Sequence, residues 1–95
     1  MHAAIWRFAG DPADLLPRYD AMLAEIPSTN MRLHLCLRDS DGIVLVDTCP
    51  DRETFERFAA SEEFRSLRAA HGLPEPERLE DFPVHAALVD GGRRE

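Results

Sequence analysis

The chain is 95 residues long, 44% hydrophobic and 31% charged, a globular composition, and carries a net charge of −7 with arginine as its only basic side chain apart from histidine. Its eleven arginines are scattered, only Arg93 and Arg94 being adjacent, so there is no basic stripe for nucleic acid or an anionic membrane; the missing lysines exclude a Schiff-base amine and a lysine general base. No apolar run approaches the ~20 residues of a membrane span and no leader-like segment opens the chain, so a cytoplasmic protein without a membrane partner is expected.

Residues 2–8 (HAAIWRF) are short, apolar and aromatic, which predicts a buried strand broken by Gly10-Asp11-Pro12. Leu15, Leu16, Tyr19, Met22, Leu23 and Ile26 then recur at helical spacing, predicting a helix that ends before Pro27. Pro17 is tolerated only in a first turn, so the regular helix is expected from about Asp14, after a loose turn from Asp11.

Residues 31–49 read as a hairpin around Asp39-Ser40-Asp41-Gly42. Alternation places Met31, Leu33, Leu35 and Leu37 on one face with Val44, Val46 and Thr48. Arg32, His34, Cys36 and Arg38 share the other with Ile43, Leu45, Asp47 and Cys49. If Ser40-Asp41 form the turn, His34 lies opposite Asp47; if Asp41-Gly42 do, Cys36 takes that place. The two cysteines are offset along neighbouring strands, so reduced thiols are expected.

Asp51 is placed to cap a helix burying Phe55, Phe58 and Ala59, and Ser61 to restart one through Phe64, Leu67 and His71, with a bend near Ala60. Gly72 suits a left-handed terminator. Residues 82–89 (FPVHAALV) read as a last strand, at an edge because of Pro83, and residues 90–95 as a flexible tail.

The order strand, helix, strand, strand, helix, strand over one domain of residues 1–95 predicts an α+β, ferredoxin-like βαββαβ fold whose four-stranded antiparallel sheet has the first and third strands at its centre. Two helices cover only one sheet face. A domain this small hides only roughly 65% of its unfolded surface, so a second copy covering the other face, a homodimer, is expected.

The chain resembles the dimeric α/β-barrel superfamily, and most of all its small antibiotic-biosynthesis-monooxygenase-type domains. The likeness is most specific over residues 42–67 (GIVLVDTCPDRETFERFAASEEFRSL): a strand, a capped helix carrying a phenylalanine, and a Ser-x-x-Phe restart. It implies a cofactor-independent enzyme of bacterial secondary metabolism acting on aromatic or polyketide-like molecules, or a relative without activity. Heme-degrading members carry a strand-one asparagine, a tryptophan at the end of strand three and a histidine near the restart. Here those places hold Trp6 and Arg7, Cys49, and a His71 about one turn late, so heme degradation is not expected. The oxygenase members also rely on the tryptophan that Cys49 replaces.

A carboxylate beside an imidazole orients it and raises its basicity, so His34 with Asp47 is the candidate catalytic pair for abstracting a proton next to a carbonyl; the competing reading is a cross-strand polar pair at the dimer seam. Trp6 and Arg7 point to opposite faces. Trp6 is a candidate to stack on an aromatic ligand, Arg7 to hold an oxyanion and pair with Asp47, and His85 and Cys36 to complete the pocket wall. His2 and His85 are expected across neighbouring strands, yet no histidine or cysteine pair has ligand spacing, so neither metal nor cofactor is expected. Cys49 gains thiolate character if the helix after Pro50 is close. The expected function is proton abstraction on a small hydrophobic or aromatic molecule, as in a cyclase, isomerase or oxygenase; the alternative is a non-catalytic ligand-binding or structural dimer. An empty pocket of at least about 300 Å³ holding both His34 and Asp47 separates an enzyme or binder from a purely structural seam.

Overall fold

A computed structural model describes residues 1–27 and 32–94; Met31, expected at the head of the hairpin, lies outside the described residues. Along the chain run β1 (His2–Ala9), α1 (Pro12–Leu23), β2 (His34–Arg38), β3 (Gly42–Cys49), α2 (Arg52–Ala59), α3 (Glu62–Ala70), β4 (Arg78–Pro83), β5 (Ala87–Val89) and β6 (Gly92–Arg94). The antiparallel sheet has the order β2-β3-β1-β4, so the first and third strands are central, as the crossover argument requires.

The hairpin turn decides the register of the sheet. Asp39 N–H donates to the Gly42 carbonyl at 3.0 Å, which makes Ser40 and Asp41 the two central residues. His34 is therefore paired with Asp47, and Cys36 with Leu45. Gly42 is needed for a steric reason: a Cβ there would stand 1.9 Å from the Phe8 carbonyl oxygen on the neighbouring strand.

Alternation along β1 buries His2, Ala4, Trp6 and Phe8. These residues pair with Cys49, Asp47, Leu45 and Ile43 of β3, and the helices pack on this face. Leu15, Tyr19 and Met22 of α1, with Phe55 of α2 and Phe64 of α3, complete the core there. The opposite face carries Ala3, Ile5 and Arg7, Leu35 and Leu37, Val44 and Val46, and Phe82. Among the described residues no helix packs on it, and Leu35, Leu37 and Phe82 are 44%, 47% and 50% exposed. The apolar face of the hairpin is thus the open one, and its mixed face meets the helices.

The helices begin at side-chain caps. Asp51 accepts from Thr54 N–H at 2.7 Å, and Ser61 accepts from Phe64 N–H at 3.2 Å, which splits the helical stretch at Ala60 as expected. Gly72, at φ 73°, ends α3 in the left-handed conformation. The start of α1 differs from expectation: Asp11 caps it, Pro12 takes the first position, and Pro17 lies inside the helix. Both Pro17 and Ala13, whose carbonyl loses its donor, are on the exposed side, so that carbonyl is not shut away from solvent.

The last strand of the sheet also differs. Residues 82–89 were expected to form it, but β4 occupies Arg78–Pro83, and only its end overlaps that run. As an edge strand paired with β1 alone, β4 tolerates the alternation of Arg78, Glu80 and Asp81 with Leu79 and Phe82. The ladder then ends where Pro83 lacks an N–H, and Val84 N–H turns to the Met1 carbonyl at 3.0 Å. Within the expected tail of residues 90–95, Asp90 (φ 52°) and Gly91 (φ 79°) make a two-residue turn that joins β5 to β6; residue 95 lies outside the described residues. Among the described residues no helix is long and apolar enough to cross a membrane.

Candidate functional site

Between the sheet and the helices lies a cavity of about 360 Å³. Its walls are apolar: Ala4 and Trp6 of β1, Leu45 of β3, Met22 of α1 with Ile26 and Pro27 beyond it, and three phenylalanines from α2 and α3. Trp6 is 2% exposed and meets the rings of Phe55, Phe58 and Phe64 edge-on, at centroid distances of 6.3, 6.2 and 5.3 Å. Such contacts hold the indole rigidly, so it is a preformed flat wall rather than a flexible filler. Its Nε1 is buried and has no hydrogen-bond partner among the described residues.

One end of the cavity is polar. The β2–β3 register brings the His34 and Asp47 side chains together on the helix-facing surface, and both line the cavity. His34 Nδ1 donates to Asp47 Oδ1, and the Tyr19 hydroxyl donates to His34 Nε2. With the Asp47 carboxylate accepting at Nδ1, Nε2 is left as the acceptor for the Tyr19 hydroxyl, so both ring nitrogens are occupied. The tyrosine and histidine rings are parallel within 4°, with centroids 5.8 Å apart. The side chains of His34 and Asp47 are 18% and 19% exposed, so the pair is largely withdrawn from solvent yet open to the cavity.

Tyr19 reaches this chain of hydrogen bonds from α1, where it shares the buried stripe of Leu15 and Met22. Burial first, then the negative groups of Cys36, Asp47 and Asp20, push its phenol up to about 12, so it stays protonated and acts as a donor at neutral pH. Helical spacing alone puts Tyr19 on the apolar stripe of the first helix and does not connect it to His34. It is the only tyrosine of the chain, on the apolar side of the first helix; its reach across to β2 depends on helix-on-sheet packing, which spacing does not encode.

The other candidates separate. Trp6 lines the cavity, as expected of a pocket wall. Arg7 does not: it is exposed on the open face, paired in register with Val44 and Arg78, and so cannot meet Asp47 across the sheet. With Trp6 inward, strand parity sends Arg7 outward. His85 is also corrected. It follows the end of β4, exposed in a separate crevice with Met1, Arg93 and Arg94, and not across from His2. His2 instead pairs with Asp81 at 2.6 Å and lies against Phe55, 5.7 Å between ring centroids. His71 caps the C-terminal end of α3 and contacts the Glu25 carboxylate.

Cys36 faces the helices, packed against the core, but does not border the cavity. Cys49 does border it, and its sulfur approaches the Asp51 carbonyl at 3.2 Å. Both are free thiols, and burial raises both above the ordinary cysteine value; the thiolate character expected for Cys49 is not favoured. Among the described residues no three His, Cys, Asp or Glu side chains converge as metal ligands.

No family model matches the chain, and no curated protein matches it in sequence. Its fold, however, is similar to solved structures along nearly the whole length. A protein of Chloroflexus aurantiacus J-10-fl assigned as an antibiotic biosynthesis monooxygenase superimposes with a TM-score of 0.63 at 12% identity, over 92% of this chain and 96% of the other. Rv0793 from Mycobacterium tuberculosis gives 0.62 at 22% identity, over 94% and 95%. SnoaB from Streptomyces nogalater, a cofactor-independent oxygenase, gives 0.59 at 21% identity, over 92% and 93%. The α+β, ferredoxin-like fold of antibiotic-biosynthesis-monooxygenase-type domains is therefore the fold of this chain, in agreement with the resemblance seen in residues 42–67.

Proposed function

We propose that the chain is a small cofactor-independent enzyme of bacterial secondary metabolism that binds an aromatic or polyketide-like molecule in the cavity and removes a proton from it. The observation that carries this reading is the cavity of about 360 Å³ with the His34–Asp47 pair at one end, a volume that suits a small aromatic ligand. His34 is the base, Asp47 orients it and stabilises the imidazolium that forms, and Trp6 with the phenylalanines grips the ring of the ligand. The description of SnoaB as a cofactor-independent oxygenase supports chemistry that needs no bound cofactor. It leaves open cyclase, isomerase and oxygenase outcomes, all of which begin with a carbanion or enolate.

The same reading makes the protein a homodimer. The open sheet face, with Leu35, Leu37 and Phe82 exposed, is matched most economically by the same face of a second copy. Arg7 and His85 have no part in the site, and oxyanion stabilisation falls to groups that border the cavity.

The test is a screen of aromatic metabolites for turnover, followed by His34→Ala. Loss of about 10²- to 10⁴-fold in kcat is expected for removal of a general base. Unchanged turnover by the variant removes His34 from the mechanism, and ligand binding without turnover in both proteins favours a non-catalytic binding domain.

A further inference from the structure

Both nitrogens of His34 are occupied, Nδ1 by Asp47 and Nε2 by the Tyr19 hydroxyl. A ligand in the cavity therefore has no direct access to a free imidazole lone pair. The nearest acceptor on that hydrogen-bonded line is the Tyr19 oxygen, which has lone pairs to spare, and Tyr19 itself borders the cavity. Resting on the reading of the cavity as a ligand site, we propose that Tyr19 is the residue that exchanges a proton with the ligand, passing its own proton to His34, and that the preferred ligands carry an acidic hydroxyl, a phenol or an enol, on an aromatic body.

The proton transfer balances without any co-reactant. The ligand O–H bond breaks and its proton goes to Tyr19 Oη; the former Tyr19 proton moves to His34 Nε2; the imidazolium is held by the Asp47 carboxylate. Tyr19 then donates its new proton back toward the ligand oxyanion as a hydrogen bond. The phenolate or enolate is thus not left unpaired against the rings of Trp6, Phe55 and Phe64, where an isolated charge is strongly disfavoured. A carbon acid offers no hydrogen bond to the tyrosine oxygen before transfer, which is why a hydroxyl is favoured at this end. The geometry fits a relay: the Tyr19 hydroxyl meets His34 Nε2 at 2.5 Å, and the Asp47 carboxylate meets Nδ1 on the far side of the imidazole.

The titratable groups near Tyr19 come from every surrounding element: His34 and Cys36 from β2, Asp47 from β3, and Asp20 from its own helix. Glu63 at the start of α3 and Cys49 at the end of β3 border the same cavity. Among these described residues, His34 is the one base able to become a cation, and a negative ligand depends on the relay to be held.

4-Nitrophenol, whose ionised form absorbs in the visible, is a direct probe. Bound to the wild-type protein, its apparent pKa is expected to fall by about one unit, a tenfold change in its ionisation constant. Tyr19→Phe, which keeps the ring in place, is expected to abolish that shift, and with it the tenfold preference for the ionised form, while thermal unfolding stays close to wild type; His34→Gln is expected to abolish the shift as well. Retention of the shift in Tyr19→Phe with loss in His34→Gln overturns the proposal and makes His34 the direct acceptor. A bound 4-nitrophenol that stays neutral in the wild type also overturns it. Absence of binding to the wild type by calorimetry overturns the cavity reading together with the relay, and is distinguishable from both.

Discussion

Both faces of the sheet carry apolar side chains in sequence, and they have opposite fates in the fold. On the covered face Trp6, Phe8, Ile43 and Leu45 are almost fully buried, and the polar residues among them, His2, His34 and Asp47, each have a partner. On the open face Leu35, Leu37 and Phe82 meet solvent in the single protomer. The lesson is that apolar residues mark both faces of a sheet this small, and the chemistry follows the mixed face, because the helices leave a cavity there that polar groups can border.

Removing the indole is the strongest challenge to this contrast. Trp6→Ala is expected to cost about 3–5 kcal/mol in urea unfolding, since it empties a rigid site ringed by phenylalanines. Leu37→Ala on the open face is expected to stay within about 0.5 kcal/mol in the dilute protomer. Equal costs would erase the distinction between the faces. Next in size is the effect on assembly: Leu37→Glu places a charge on the proposed seam, and sedimentation equilibrium is expected to show a dimer for the wild type and a monomer for the variant. A wild type that sediments as a monomer would make the exposed leucines a different kind of surface.

The smallest effect reads the covered face directly. Tyr19 is the only tyrosine, so the phenolate absorbance reports a single group. Its titration is expected near about 12, above the ordinary value of about 10, because burial and the anionic neighbours disfavour the phenolate. The sign of the linked stability follows: above about pH 10 the unfolded chain releases this proton first, so stability is lost as pH climbs toward about 12 and is undiminished below 10. A midpoint at the ordinary value would place Tyr19 in water and off His34.

Much of this was legible in the sequence where local rules decide. Period-two alternation and the Asp39–Gly42 turn define the hairpin register, and the caps Asp51 and Ser61 mark where helices start. The pairing of His34 with Asp47 followed from the turn once Ser40 and Asp41 formed its centre. What failed was non-local. Whether the mixed face met the helices depended on how α1 to α3 dock, and parity then carried Arg7 away from Asp47 once Trp6 turned inward. Residues 82–89 are the more apolar run, yet the ladder with β1 selected the polar-edged Arg78–Pro83 because an edge strand is only half buried. The Asp90-Gly91 pair carries a two-residue hairpin signal of its own. Tyr19 had only its place on an apolar helical stripe, which says core and nothing about a histidine on another element.

The most direct measurement is a crystal structure of the protein with 4-nitrophenol. The account predicts the ring between sheet and helices against Trp6, with the phenol oxygen in hydrogen-bond reach of Tyr19 Oη. A ligand seated on Leu35, Leu37 and Phe82 of the open face, or a cavity closed by its own side chains, would contradict it.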